Sequence, residues 1–436
     1  MRLPAAAARC MAMLEDAGFA AYAVGGCVRD ALLGLEPHDF DLCTAATPEQ
    51  MKALFSQFRL VLAGQKHGTV GVVCDGEVVE ITTFRTEGEY QDNRHPDRVE
   101  FVSDIRLDLS RRDFTVNAMA WSPSRGLCDP FGGQEDLKNK ILRAVGDPVI
   151  RFQEDSLRIL RGVRFAVRYG LTPENATRRA MATQSHLMDN LARERVFEEL
   201  CKLLPTVNAR DVLEYGPILA SAIPELKPMM GFDQHSIHHR YDVFTHTAQV
   251  VGLVPPQLSL RWAALLHDIG KPASFVLDEQ GCGHFYGHAK VSAGIAGEIL
   301  LRLKSPTALR QQVVFLIEQH MTPLTADRKL LRRRLAQYGE EGVRSLLALQ
   351  KADTEGTGVT EGALDFEGVE PLLEEILVEN ACLSLKDLEI DGHDLMAMGF
   401  RGREIGRTLE TLLARVLDET LPNRREALLE AAEKEK

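Results

Sequence analysis

The sequence predicts an α+β fold: an N-terminal head with a small sheet, followed by an all-α neck, body and tail. Two patterns in the 436 residues carry that prediction. Short strand-like runs recur through residues 1–145, at Tyr22–Val24, Asp39–Cys43, Gly68–Val73, Glu77–Ile81, Val99–Phe101 and Ala118–Ser122, with helical stretches at the start and in the gaps. From Gly146 onward such runs nearly vanish, and apolar residues recur with the 3.6-residue period of helices as far as the C-terminus. Seams near Asp147-Pro148, Pro224–Gly231, Gly356–Gly362 and Glu389–Gly392 suggest a head at 1–145, a neck at 146–225, a body at 226–360 and a tail at 361–436.

The opening stretch, MRLPAAAARCMAMLEDAG, reads as an amphipathic helix and not as a signal peptide, because Glu15 and Asp16 interrupt it and no long apolar core precedes a cleavage site. No run approaches the ~18 consecutive apolar residues of a membrane span, so no membrane partner is expected. Eight cysteines are scattered without a C-x-x-C pair, which argues against a thiolate zinc site or a disulfide framework and fits a reducing, cytoplasmic location. A net charge of −12 looks unsuited to nucleic acid, yet steering depends on the local field and not on the sum. Acid is concentrated between Asp365 and Asp391, whereas arginines bunch at Arg151, Arg158, Arg161, Arg164 and Arg168, and again at Arg328, Arg332, Arg333 and Arg334. Such clusters suggest a restricted basic track for phosphates, with solvated helix faces as the alternative. The oligomeric state is left open.

The first strand runs into Gly25-Gly26-Cys27-Val28-Arg29-Asp30, and a helix follows at Ala31. Glycines let backbone N–H groups approach a phosphate, and a helix N-terminus favours anions. The second strand carries Asp39-Phe40-Asp41. Side chains at i and i+2 of a strand share a face, so the two carboxylates can grip the same divalent ions. A phosphate cradle beside a metal-binding carboxylate pair is what nucleotidyl transfer requires, since metal ions lower the pKa of an attacking hydroxyl and neutralise the departing pyrophosphate. A turn followed by a solvated acidic strand end is the bland alternative. Ahead of Asp113 lies a polar loop, RTEGEYQDNRHPDRVEF, which is expected to be mobile.

After Gly146-Asp147-Pro148 comes RFQEDSLRILRGVRFAVRYG. In a continuous helix Leu157, Leu160 and Phe165 face a core, while Asp155, Arg158, Arg161 and Arg164 share another stripe and Glu154 precedes Arg158 by one turn. An Asp–Arg pair on a rigid helix offers one acceptor and several fork-like donors. That set matches the Watson–Crick edge of cytosine and, with a shift, adenine, and the other arginines suit triphosphate oxygens. The alternative is a salt-bridged surface helix.

These segments, GGCVRD…DFDL, VEITTFR, RRDFTVNAMA, DPFGG…DL and EDSLRILRGVRFA, resemble in identity and order the class II tRNA nucleotidyltransferases, the family of CCA-adding enzymes and bacterial poly(A) polymerases in the polymerase-beta-like superfamily. LARERVFEELCKLL resembles the family's neck helix, and IDGHDLMAMGFRGREIGRTLETLLARVL its C-terminal element. The resemblance implies that Asp39 and Asp41 hold two Mg²⁺ ions, that Gly26, Arg29, Arg112, Arg161 and Arg164 bind the incoming triphosphate, and that Asp155 and Arg158 act as the template for C and A. Glu80, alone among apolar neighbours, becomes a candidate third carboxylate, or else a surface residue of an edge strand. Partners are then tRNA, CTP and ATP, with basic patches of the helical remainder clamping the tRNA through phosphates and shape. The loop before Arg111-Arg112-Asp113 looks complete, which favours full CCA addition over CC addition. A poly(A) polymerase or an enzyme adding A alone is the alternative within the family.

Eight of the thirteen histidines fall between residues 235 and 320. His246, His267-Asp268, His288, His320 and Asp353 resemble the ligand series of the HD phosphohydrolase superfamily. Neutral imidazoles with carboxylates suit a first-row divalent transition metal, so an HD-type body is expected, with His246, His267, Asp268 and Asp353 foremost among its ligands. An idle RNA-binding scaffold is the competing reading, and an HD phosphohydrolase as the chain's main activity is another. His235, His238 and His239 read as surface or packing residues.

Overall fold

The structure, a computed structural model, describes residues 1–37, 39–87, 99–236, 239–359, 365–379 and 381–435. Most of the loop expected to be mobile, His238 and part of the Gly356–Gly362 seam lie outside the described residues. The chain divides into two units, Met1–Val207 with Glu214–Pro224, and Asn208–Leu213 with Glu225–Lys436.

The first unit opens with α1 (Ala5–Asp16), β1 (Ala21–Val24), α2 (Gly26–Leu32), β2 (Leu42–Thr44), α3 (Pro48–Leu54), β3 (Arg59–Val61), β4 (Thr69–Cys74) and β5 (Glu77–Thr83). There follow β6 (Arg85–Glu87), β7 (Val99–Phe101), α4 (Ile105–Ser110), β8 (Ala120–Ser122), β9 (Gly126–Cys128) and α5 (Gly133–Lys138). Seven strands make one sheet in the order β3-β4-β5-β2-β1-β8-β9, and β6 pairs with β7 separately. Alternation along β4 and β5 buries Val70, Val72, Val79 and Ile81, each of the size whose burial contributes about 1.5–3 kcal/mol. β2 runs parallel to β5 with Leu42 opposite Ile81, and antiparallel to β1 with Leu42 opposite Ala23. This register brings the exit of β1, the entry of β2 and Glu80 of β5 together at one end of the three central strands. The expected strand at Asp39–Cys43 is shorter than foreseen: Asp39, Phe40 and Asp41 precede the ladder, and Val24 N–H bonds only the Asp41 carbonyl, at 3.0 Å.

The arginine-rich segment is likewise not one helix. Asp147 caps α6 (Pro148–Glu154), with Pro148 in the first turn, and the chain then extends at Asp155 (φ −144°, ψ 101°) before α7 (Leu157–Tyr169) begins. Aspartate and serine compete with helix by bonding nearby backbone. Here the Asp155 carboxylate accepts from Leu157 N–H at 3.2 Å, so the EDS triplet starts a helix where continuity was expected. α7 packs on Phe114, whose ring meets Phe165 edge-on at 5.9 Å. Gly162 permits that approach, because a Cβ there would lie 3.0 Å from Phe114 Cζ. β10 (Ile141–Leu142), β11 (Thr172–Pro173), α8 (Asn175–Gln184), α9 (Arg193–Leu203) and α10 (Ala209–Ala222) complete the region.

The second unit holds α11 (Val243–Leu253), α12 (Leu258–Leu266), the hairpin β12 (Phe275–Leu277) and β13 (Gly283–Phe285), α13 (His288–Arg302), α14 (Thr307–Gln319) and α15 (Arg328–Gly356), which bends at Gly339. α16 (Val369–Val378), α17 (Gly392–Ala397), α18 (Arg403–Leu417) and α19 (Arg425–Glu433) follow, the last three around a core that includes Leu395, Phe400, Leu412 and Leu428. The hairpin departs from the helical pattern; its three-residue strands are too short to register as a period in the sequence. The second arginine cluster also departs from expectation. Arg328 pairs with Glu375, Glu379 and Glu419, Arg332 with Glu419, and Arg333 with Asp418, so these residues tie α15 to acidic neighbours instead of forming an open basic track.

Candidate functional site

At this end of the central strands Asp39, Asp41 and Glu80 are all exposed, and with Glu77 they line a cleft of about 650 Å³. The Asp41 carboxyl is raised above its ordinary value, first by desolvation among surrounding protein atoms and then by Glu80 and Asp39, with Arg112 pulling the other way. An Asp41 carboxylate whose charged form is disfavoured by two carboxylate neighbours marks a site short of positive charge, and the oxygen-only donor set fits a hard divalent cation such as Mg²⁺. Glu77 was not singled out in the sequence; its place at the start of β5, three residues before Glu80, is the only signal it gave.

The glycine turn adjoins this cleft. Gly25 has φ +76° and donates its N–H to Met119 O at 3.0 Å, and a Cβ on it would sit 3.0 Å from Arg112 Nη1. Arg112 is held by the buried Asp108 at 3.4 Å, and its buried Nε has no hydrogen-bond partner among the described residues. Burial works to raise the Asp108 carboxyl, but Arg111 and Arg112 hold it below its usual range. Arg29 is buried and engaged on every side: it bonds Asp30 at 2.9 Å, Asn117 Oδ1 at 2.5 Å and the Tyr169 hydroxyl at 2.5 Å, with its guanidinium 4.2 Å from the Tyr169 ring. The Tyr169 contact links α2 to the end of α7.

Along α7, Arg158, Arg161 and Arg164 are paired with carboxylates of other segments. Arg161 bonds Asp113 through Nε and Nη2 at 2.9 and 2.6 Å, Arg164 bonds Glu199 of α9, and Arg158 bonds Glu154 at 2.6 Å as well as the carbonyls of Arg151 and Arg111. Asp155 meets Arg158 through the backbone, its carbonyl accepting from Arg158 N–H at 3.0 Å, while its carboxylate pairs with Arg195 of α9, at 2.8 Å. The expected single stripe of Asp155, Arg158, Arg161 and Arg164 is therefore corrected to three arginines on α7 with an aspartate at the junction before it. Burial alone would raise the Asp113 carboxyl, but Arg161, with support from Asn117, holds it down to about 2. Asp113, Asn117, Tyr169, Arg195 and Glu199 escaped the sequence analysis as partners, because their pairing spans up to 140 residues of chain.

In the second unit the expected histidines do converge. His246, His267 and Asp268 form one group able to hold a cation, and Asp268, His288 and His320 form another, so Asp268 is shared. Asp353 bonds His246 Nε2 at 2.9 Å. Each ring of His267, His288 and His320 turns Nδ1 to a backbone carbonyl, of Ala264, Phe285 and Ile317 at 2.9, 2.9 and 2.6 Å, which leaves Nε2 free to act as a lone-pair donor. His288 Nε2 and His320 Nε2 then face each other at 3.3 Å. Burial lowers both rings' affinity for a proton, His320 to about 4, which favours lone pairs on these facing atoms, an arrangement that fits a bridging cation. Burial also opposes a proton on His267, but Asp268 and Asp353 outweigh it and raise that ring to about 10 in the metal-free chain; a cation there would displace the proton. Lys271, four residues after His267, is buried with Nζ 2.7 Å from Asp268 and 2.8 Å from Gln234. His235 is exposed, and His239 packs edge-on against His246 at 5.3 Å. No helix among the described residues is long and apolar enough to cross a membrane.

A carboxylate cleft at the end of the central strands of a small mixed sheet, with Arg112 acting on it, defines a class of protein that handles phosphates with divalent metal. Comparison narrows the class. Residues 21–143 match the Poly A polymerase head domain, 170–215 match the "probable RNA and SrmB-binding site of polymerase A", and 284–432 match tRNA nucleotidyltransferase domain 2. The CCA-adding enzyme of Limosilactobacillus reuteri is 32% identical over 431 residues, covering 96% of this chain and 94% of that protein. That of Ligilactobacillus salivarius is 42% identical over 255 residues, but the match spans only 56% of this chain and 63% of that protein. The Bacillus stearothermophilus CCA-adding enzyme, solved in complex with CTP, is similar with a TM-score of 0.72 and 25% identity, over 100% of this chain and 98% of that one. The chain belongs to the CCA-adding enzyme family of nucleotidyltransferases, whose reaction implies a divalent metal.

Proposed function

We propose that this chain adds C, C and A to tRNA 3′ ends from CTP and ATP, releasing pyrophosphate, with Asp39 and Asp41 as Mg²⁺ ligands and Glu80 completing the acidic edge. The single observation that supports it best is the convergence of Asp39, Asp41 and Glu80 in one cleft, with Arg112 acting on Asp41. When bound, the metal supplies charge neutralisation at the triphosphate and a lower pKa at the RNA 3′-hydroxyl. The chain's own groups do the rest. Gly26 and Arg112 receive the phosphates, with Arg161 and Arg164 behind them; Arg29 braces α2 against α7. Asp155 and Arg158 flank the start of α7 and are assigned the choice between C and A, in which case Arg195 and Glu154 act as the partners that hold them between turnovers. We assign chemistry to residues 1–145, nucleotide choice to 146–225 and tRNA grip to the helical remainder, in the cytosol. The test is addition of labelled CTP or ATP, supplied separately, to tRNA lacking its last three, two or one nucleotides. Incorporation of A alone on every substrate would replace this reading with an A-adding enzyme.

A second reading applies to the second unit. The facing Nε2 atoms of His288 and His320, with the shared Asp268, support a divalent transition-metal centre that hydrolyses phosphate esters. When bound, the metal would supply hydroxide at neutral pH. Asp268 and Asp353 would balance its charge, and Lys271 would sit beside the incoming phosphate. Metal content of the purified chain, measured by elemental analysis before and after His267→Ala, tests the centre directly.

A further inference from the structure

The head sheet turns one face outward beside its carboxylates. Along β5, Val79 and Ile81 are buried, and Val78 and Glu80 lie on the opposite, exposed side. The ladders carry that side across two more strands. Glu80 is opposite Gly71 of β4, and Gly71 is opposite Val61 of β3. In the next row Val78 is opposite Val73, and Val73 is opposite Arg59. At the inner end of both rows Asp39 and Asp41 line the same cleft as Val78 and Glu80. At the outer end β3 is an edge strand of the sheet.

The face changes character along its length. Val61 and Val78 are 43% and 56% exposed, and they lean together over Gly71, where a Cβ would lie 3.1 Å from Val61 Cβ and 3.2 Å from Val78 Cγ1. The missing side chain lets two branched residues form one aliphatic pad. Beyond the pad Arg59 is exposed, with no carboxylate or hydrogen-bond partner among the described residues. Arg158, Arg161 and Arg164, by contrast, all hold carboxylates. A guanidinium without a carboxylate has its full fork of donors open to a phosphate. We propose that this face seats the 3′-terminal nucleotides of the acceptor RNA, with Val61 and Val78 under a sugar and base and Arg59 on a backbone phosphate. The proposal rests on the CCA-adding reading of the head, which places the RNA 3′-hydroxyl at Asp39 and Asp41. Acid, apolar and basic groups then follow in the order that hydroxyl, nucleoside and phosphate present. An apolar protein segment on the same face would bury the three carboxylates without neutralising them, which is costly. Three strand spacings separate β3 from β2, about 14 Å, the rise of about four nucleotides in a stacked strand. Arg59 therefore positions the RNA at a distance and does not touch the reacting atoms.

The experiment uses the full chain, tRNA lacking only its terminal A, and ATP. Arg59→Ala is expected to raise KM for tRNA by about 10-fold without a matching rise in KM for ATP. In equilibrium binding without nucleotide, the slope of log Kd against log salt should fall by about 1, and Arg59→Lys should restore it. Single neutral methylphosphonates are then placed at successive phosphates back from the RNA 3′ end. One of them, about four from the end, should weaken binding to the parent chain by about 10-fold and leave binding to Arg59→Ala unmoved. An unchanged salt slope, or a methylphosphonate cost that is the same in both chains at every position, overturns the RNA seat. A parent chain that adds no nucleotide but loses tRNA affinity on Arg59→Ala overturns the CCA-adding reading and leaves the seat standing.

Discussion

The two acidic centres of this chain solve opposite problems. The head cleft is open: Asp39, Asp41 and Glu80 are exposed, all its donors are oxygens, and its carboxylates repel one another. The centre in the second unit is closed: His246, His267 and Asp268 are at most 1% exposed, and three of its four imidazoles are oriented by backbone carbonyls. An open oxygen site suits Mg²⁺, which keeps several waters and is completed by the substrate's own phosphates. A buried nitrogen–oxygen site suits a resident transition metal, because dehydration is offset by fixed lone pairs. The difference teaches which metal should travel with substrate and which should stay with the protein.

The largest effect that bears on this contrast is removal of the cleft carboxylates. Asp39→Ala with Asp41→Ala is expected to reduce incorporation of both C and A by at least about 10³-fold, since several kcal/mol of transition-state charge stabilisation go with the metal. Circular dichroism should be unchanged, because exposed side chains that repel one another contribute nothing to the fold. Surviving C addition removes the metal assignment. Next in size, His267→Ala with Asp268→Ala should weaken retention of a transition metal by at least about 100-fold while CCA addition stays largely intact. If CCA addition is lost as well, the closed centre is a structural necessity for the family reaction and the two sites are not separate. Gly25→Ala probes the open site from its rim. The left-handed backbone costs a non-glycine residue about 1–2 kcal/mol, and the new methyl meets Arg112 Nη1 at 3.0 Å. Addition of both nucleotides should fall by about 10-fold or more, and an unchanged rate would detach Arg112 from the phosphates.

The contrast also explains what could be read from the sequence. The α+β head, the helical remainder, the carboxylate pair and the His/Asp series were legible because each is either periodic or local. Asp39 and Asp41 are two residues apart, and HD is a dipeptide. The partners of the α7 arginines were not legible. Arg161 meets Asp113 across 48 residues and Arg195 meets Asp155 across 40, and nothing in a local pattern specifies such pairs. Asp155 was misplaced for a different reason: charge spacing fits a helix stripe, but the carboxylate's bond to Leu157 N–H starts a new helix there. The second arginine cluster looked like a phosphate track because its acidic partners, Glu375, Glu379, Asp418 and Glu419, lie far along the chain.

Smaller effects test whether the α7 pairs are functional or only structural. Arg158→Ala is expected to narrow the discrimination between CTP and ATP by about 10-fold, the scale of one lost multi-donor base contact, with the summed rate less affected. Unchanged preference would leave Arg158 as a brace for Glu154 and the carbonyls of Arg151 and Arg111.

The Asp113–Arg161 pair should report in stability more than in catalysis. In the fold the Asp113 carboxyl titrates at about 2, below its ordinary 3.8. A group held down in this way adds stability that is fully present above the ordinary value and is lost as pH falls through the folded one. The shift corresponds to about 2 kcal/mol, present at pH 6 and mostly gone by pH 2. Asp113→Asn keeps the shape and the bond from Asn117 but removes the charge facing Arg161. Urea unfolding followed at Trp121, in the same unit, should therefore show the variant less stable than the parent at pH 6, with the gap closing toward pH 2. A gap that stays constant across that range would mean that Arg161 is held by packing against Phe165, 5.2 Å from its guanidinium, and owes little to the carboxylate. Arg161 would then be free to turn toward a triphosphate without first breaking an ion pair.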